Sequence, residues 1–171
     1  GLPVNGATAS DTLTVNPNIG FSKSFAGPAA ATGMTTLMFT IENNTTGAIN
    51  GISFSDDLDA VITGLTAANF PATPCGGLSA VSGTSLITFT GGELPAMSMC
   101  SFSVDIMVPA GVSAGTYANT TSDLFLGGVS SSAPATDDLE IEPPPAFTKT
   151  FTPDQIGLGQ NSTLAFSIDN S

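Results

Sequence analysis

The pentapeptide Phe21-Ser22-Lys23-Ser24-Phe25 returns near the end of the chain as Phe147-Thr148-Lys149-Thr150-Phe151. Lys23 and Lys149 are the only cationic side chains among 171 residues, and they hold matching places in the two copies. Other blocks return in the same order. Ala7 to Val15 aligns with Ala133 to Ile141 at the 126-residue offset that also relates Phe21 to Phe147. Leu37 to Asn43 aligns with Leu164 to Asn170 at an offset of 127. Self-similarity at a fixed period is the mark of a repeat architecture. It divides the chain into residues 1–20 (the C-terminal strand of a preceding repeat), 21–146 (a complete repeat ending in a Pro-rich linker) and 147–171 (the first two strands of the next). Two strands are not stable alone in water, so 147–171 needs a further packing surface. On this reading the chain is a window on a tandem array or a subunit whose ends pair with neighbours.

Within the complete repeat the apolar residues alternate. Leu37, Phe39 and Ile41 interleave with Met38, Thr40 and Glu42, and Cys100, Phe102, Val104, Ile106 and Val108 interleave with Ser101, Ser103, Asp105 and Met107. That period belongs to a half-buried strand. Strands are predicted at 20–25, 35–43, 50–56, 79–82, 85–90, 99–108, 115–122 and 137–142. Turn signals fall at Asn43-Asn44, Asn50-Gly51, Gly76-Gly77, Gly91-Gly92, Pro109-Ala110-Gly111 and Gly127-Gly128. The stretch 57–66 holds at most a helical turn, and Pro143-Pro144-Pro145 is a stiff, extended linker. Many short strands with this punctuation predict an all-β, immunoglobulin-like Greek-key β-sandwich.

The net charge of −12 excludes nucleic-acid binding through a basic patch and disfavours anionic lipid surfaces. No apolar run reaches membrane-spanning length, and Gly1-Leu2-Pro3 does not read as a signal peptide. The surface is carried by Ser, Thr, Asn and Gly, as in secreted β-proteins. Two cysteines, Cys75 and Cys100, in such a chain suggest one structural disulfide. Together these features predict an extracellular location.

The segments Phe21 to Phe25, Leu37 to Asn43, Phe54-Ser55-Asp56-Asp57-Leu58, Cys75-Gly76-Gly77, Gly91-Gly92-Glu93-Leu94-Pro95 to Cys100, and Gly115-Thr116-Tyr117-Ala118-Asn119-Thr120 occur in this order. In that order they resemble the conserved-repeat domains of large bacterial surface and secreted proteins, a tandem family of unknown function. One departure is Asp59-Ala60, where that family carries Pro-Ala. The resemblance implies an immunoglobulin-like fold, tandem arrays, a spacer, stalk or adhesive role, and no enzymatic activity.

Lys23 shares a strand face with Phe21 and Phe25, because alternate residues of a strand point the same way. A lysine carried inward with two phenylalanines is costly unless it is paired or consumed. Asp56 shares a face with Ile52 and Phe54, and Asn119 shares one with Tyr117. In general architecture the chain resembles surface-adhesin and pilin domains that form Lys–Asn isopeptide bonds. That chemistry needs a neutral amine, a carboxamide and a buried acid, here Lys23, Asn119 and Asp56. The competing reading is an ordinary Lys23–Asp56 ion pair with the amine snorkelling to the rim, and Asn119 bonded to turn backbone. Lys149 has no such partners in this window.

The acidic residues Asp56, Asp57 and Asp59, and Asp137, Asp138, Glu140 and Glu142, are calcium candidates. Neither group has the spacing of a regular calcium loop, and a solvated acidic face explains them first. No cofactor is otherwise implied. With no histidine, no phosphate-binding glycine loop, no Trp and one Tyr, enzyme readings find no machinery. The expected function is a spacer, stalk or filament building block, with neighbouring repeats or subunits as partners. The alternatives are an adhesive or carbohydrate-binding module with loop-borne ligands, and a filament subunit polymerised by strand exchange.

Overall fold

The computed structural model describes residues 18–170. Residues 1–17, with the block Ala7 to Val15, lie outside the described residues. The described chain is all-β, without a helix. Its strands are β1 Ile19–Phe25, β2 Ala29–Ala30, β3 Met34–Asn43, β4 Ile49–Asp57, β5 Thr66–Ala68, β6 Ala80–Ser82 and β7 Leu86–Leu94. They continue as β8 Ser98–Met107, β9 Gly115–Thr120, β10 Leu124–Leu126, β11 Val129–Ser132, β12 Thr136–Glu142, β13 Ala146–Thr152 and β14 Thr163–Asp169.

Four sheets result: β1-β3-β8-β5, β11-β10-β4-β7-β6, β2-β12-β9, and the β13-β14 hairpin. The first two meet through phenylalanines set by strand parity. In β3, Leu37, Phe39 and Ile41 are buried and Met38 and Glu42 exposed. In β8, Phe102, Val104 and Ile106 are buried. The ring of Phe54 on β4 lies 4.9 Å from Phe39 and 5.2 Å from Phe89 on β7, and Phe89 lies 5.1 Å from Phe102. Tilted and offset ring pairs at such distances contribute beyond their buried area.

Two dipeptides predicted as turns lie inside strands. Asn50-Gly51 sits in β4 and Gly91-Gly92 in β7, and the pairing of these two strands shifts register between Ile49 and Ile52 and again between Ile52 and Phe54. The shifts are β-bulges. Along β7 the buried residues run Ile87, Phe89, Gly92, Leu94, so the alternation slips by one at Gly91, whose φ is +69°. Glycine tolerates that left-handed backbone at no steric cost. The stretch after β4 contains one helical-type turn, with Ile62 N donating to Leu58 O at 3.1 Å.

The β13-β14 hairpin pairs as β1-β3 does. Phe21↔Ile41, Lys23↔Phe39 and Phe25↔Leu37 in the first correspond to Phe147↔Ile168, Lys149↔Phe166 and Phe151↔Leu164 in the second. Their environments differ. Leu37, Phe39 and Ile41 are fully buried, whereas Phe147, Phe166 and Ile168 are 64%, 61% and 72% exposed.

Candidate functional site

Three sheets converge on one buried polar cluster. Lys23 comes from β1, Asp56 from β4 and Asn119 from β9. The parity of each strand sends these side chains inward with their apolar neighbours: Ile52, Phe54 and Asp56 are all buried, and Lys23 lies opposite Phe39 in its ladder. Lys23 Nζ donates to Asp56 Oδ2 at 3.0 Å, with both side chains fully enclosed, so the amine does not reach the rim. Asn119 Nδ2 donates to the same oxygen at 3.4 Å. The other oxygens of the pair, Asp56 Oδ1 and Asn119 Oδ1, are buried without a hydrogen-bond partner.

Burial lowers the Lys23 amine below its ordinary value, against the Asp56 charge and hydrogen bond and the Asp137 charge. Burial raises the Asp56 carboxyl, against the charge and hydrogen bond of Lys23 and the hydrogen bond of Asn119. Both directions favour the neutral forms, since low-dielectric surroundings penalise charge. A proton passed from Nζ to Oδ2 relieves both penalties without changing the net charge.

Backbone contacts fix the three strands. The extended chain after β9 bridges β4 at Asp56↔Thr121, and Ser122 N donates to Ser55 O at 2.8 Å. Asp137 on β12 lies opposite Asn119 in the β12-β9 ladder, and its Oδ2 accepts Phe25 N of β1 at 2.7 Å. The predicted strand 115–122 ends at Thr120, and the break there is why Leu124, on β10, follows a different phase from Asn119.

The acidic groups put forward as calcium candidates do not assemble. Among the described residues no three acidic, cysteine or histidine side chains are grouped to hold an ion. Asp56 is committed to Lys23 and Asn119, Asp57 Oδ1 accepts Ala60 N, Asp59 Oδ1 accepts Gly64 N, and Asp137 accepts Phe25 N. Asp138 pairs with Ala118 along the ladder. Asp57 and Asp59 thus answer local backbone donors, and Asp56 and Asp137 answer donors from other strands, instead of a common point.

Cys75 and Cys100 form a disulfide, with Cα atoms 5.6 Å apart. It joins the loop between β5 and β6 to β8. Asn43 is marked by the sequence as a turn residue and as the last position of the repeated block Leu37 to Asn43. It is fully buried, and its Nδ2 donates to Gly47 O, Leu94 O and Pro95 O at 2.9, 3.3 and 2.7 Å while Oδ1 accepts Thr45 N at 3.0 Å. The recurring Ile-Glu-Asn of 41–43 and Ile-Asp-Asn of 168–170 was the available signal.

An all-β domain with an enclosed Lys–Asp–Asn cluster and one disulfide is thus the class this chain defines. The chain belongs to the family described as Domain of unknown function (DUF7933), matched over residues 20–141. No curated protein matches it. Among solved structures it is similar to AvmM, described as catalysing macrocyclization in alchivemycin A biosynthesis, at 10% identity and TM-score 0.44, covering 77% of this chain and 92% of that one. It is also similar to a family 123 glycoside hydrolase from Clostridium perfringens at 10% identity and TM-score 0.42, covering 73% of this chain and 27% of the hydrolase. A PapD-like domain of human CEP192 matches at 12% identity and TM-score 0.36, over 81% of this chain and 93% of that one. At these values the likenesses assign neither fold nor activity.

Proposed function

We propose that the chain is a stretch of a tandem array of immunoglobulin-like Greek-key β-sandwich repeats, serving as a spacer or stalk element of an extracellular bacterial surface protein. The observation that carries this reading is the β13-β14 hairpin, which repeats the register of β1-β3 with the same residue types on its apolar face. In the first unit that face is covered by the second sheet; in the hairpin it is exposed. A lone two-stranded hairpin is marginal in water, so the exposed face suits the opening of a second sandwich. The disulfide fits an oxidising, extracellular compartment.

Appending a second copy of residues 44–146 after Asn170 tests the repeat directly. A second unit is expected to fold on β13-β14, protecting the amides of β14 from hydrogen exchange and doubling the cooperative unfolding signal. If the grafted strands stay unstructured, or fold without protecting β14, the repeat reading fails. A filament subunit polymerised by strand exchange is the second reading, favoured by the same exposed face. It predicts polymers from the unextended chain.

A further inference from the structure

We propose that the complete unit modifies itself, joining Lys23 Nζ to Asn119 Cγ in an intramolecular isopeptide bond with release of one ammonia, Asp56 acting as the proton carrier. The proposal stands on the cluster alone and is independent of whether the unit bears load. Nζ and Nδ2 both hydrogen-bond Asp56 Oδ2, so the amine and the carboxamide are neighbours across one carboxylate oxygen. All three side chains are buried, Asp56 and Asn119 completely. An ion pair alone would leave Asp56 Oδ1 and Asn119 Oδ1 unpartnered in the core, and each such orphan is destabilising.

The atoms balance. Lys23 passes a proton to Asp56 Oδ2 along the 3.0 Å hydrogen bond and becomes a neutral amine. Its lone pair attacks Asn119 Cγ, the Cγ–Nζ bond forms, and the carbonyl electron pair moves onto Oδ1. Asp56 gives its proton to Nδ2 and takes one from Nζ. The electron pair on Oδ1 returns to restore the carbonyl, the Cγ–Nδ2 bond breaks, and ammonia leaves with the two carboxamide hydrogens and one from lysine. No oxidant, reductant or metal enters. Activation is of the familiar kind: a desolvated lysine is a nucleophile at neutral pH, and a buried acid serves both departing and attacking nitrogens. Lys149, in the same pentapeptide pattern but exposed, is a built-in control.

The test is the intact mass of the folded, full-length chain after denaturation and reduction, followed by digestion. The expected mass is one ammonia below the sequence mass. Because Lys23 and Lys149 are the only trypsin sites, trypsin on the unfolded, reduced chain should cut after Lys149 and leave Lys23 intact. A second protease should release a branched peptide containing Lys23 and Asn119. Full mass in the folded wild type overturns the proposal. Ammonia loss with Lys23 still open to trypsin would be an asparagine succinimide and also overturns it. Asn119→Ala should carry full mass and restore cleavage at Lys23. Asp56→Asn, which keeps the shape but cannot carry the proton, should lose the reaction while folded; an unchanged ammonia loss there overturns the role of Asp56.

Discussion

Lys23→Met and Asp56→Ala remove opposite halves of one buried pair, and the two variants respond to pH in opposite directions. In Lys23→Met the Asp56 carboxyl stays buried, with Asp57 adding to the upward push and only the Asn119 hydrogen bond opposing it. Its folded pKa lies above the unfolded one, so its stabilising protonated form is fully present below about pH 4 and its contribution is lost as pH rises through the folded value. In Asp56→Ala the amine stays buried with Asp137 as the remaining counterweight. Its folded pKa lies below the unfolded one, so its contribution is complete above about pH 10 and is lost as pH falls through the folded value. Urea midpoints should therefore fall for Lys23→Met as pH rises from about 4, and rise for Asp56→Ala as pH climbs toward about 10, each measured against Asn119→Ala. That reference keeps the ion pair and cannot crosslink. Near neutrality each variant should be less stable than the reference by roughly 3–5 kcal/mol, the usual effect of leaving half a buried pair. Parallel slopes would show that burial does not govern this site. The placement of Lys23 was legible because Phe-x-Lys-x-Phe leaves a strand no way to bury both rings without the lysine. The cluster around it was legible only in part. Asn119 is the penultimate residue of its strand, two residues before the bridge to β4 at Thr121, and no sequence period signals such a break.

At the scale of elements, alternation over nine or ten residues located β3 and β8 within a residue or two of their observed ends. Of the strands of two to four residues, β6 was placed within 79–82, while β2, β5, β10 and β11 escaped because so short a run has no period to read. Sequence also misread Gly91-Gly92, since a glycine pair marks a turn and a bulge with the same composition. Their difference lies in the neighbours. A Cβ on Gly92 would come 2.7 Å from Phe89 Cζ and 3.2 Å from Ile52 Cβ. Glycine is thus required there by close packing against the stacked rings, and Gly92→Ala must shift Phe89 away from Phe54 and Phe102. The expected cost is about 1–3 kcal/mol, the range for overpacking a filled core, read as a lowered urea midpoint with unchanged slope. A neutral Gly92→Ala would mean that β7 relaxes around the bulge. Gly91, with φ +69°, is strained for any other residue whatever the space.

Seen across the whole molecule, the two staples are nested. The disulfide closes the segment from Cys75 to Cys100, inside the segment from Lys23 to Asn119 that the proposed isopeptide would close. Nesting separates their mechanical and thermodynamic effects. Reducing the disulfide should cost about 3 kcal/mol through the freed unfolded chain, whatever happens at Lys23. Under tension applied at the chain ends, however, force would enter at β1 and pass directly to β9, leaving residues 24–118 unloaded and the disulfide invisible to pulling. The crosslinked unit should then extend only through the residues outside Lys23 and Asn119. Asn119→Ala should lengthen by an additional 330 Å or so in single-molecule traces under reducing conditions, given ~3.5 Å per extended residue. With the disulfide intact, about 85 Å of that gain should be withheld, since residues 76–99 stay closed. A wild-type chain that reaches the same length as Asn119→Ala would place no covalent bond between β1 and β9. The unit would then resist force by its hydrogen-bonded ladders and phenylalanine core alone.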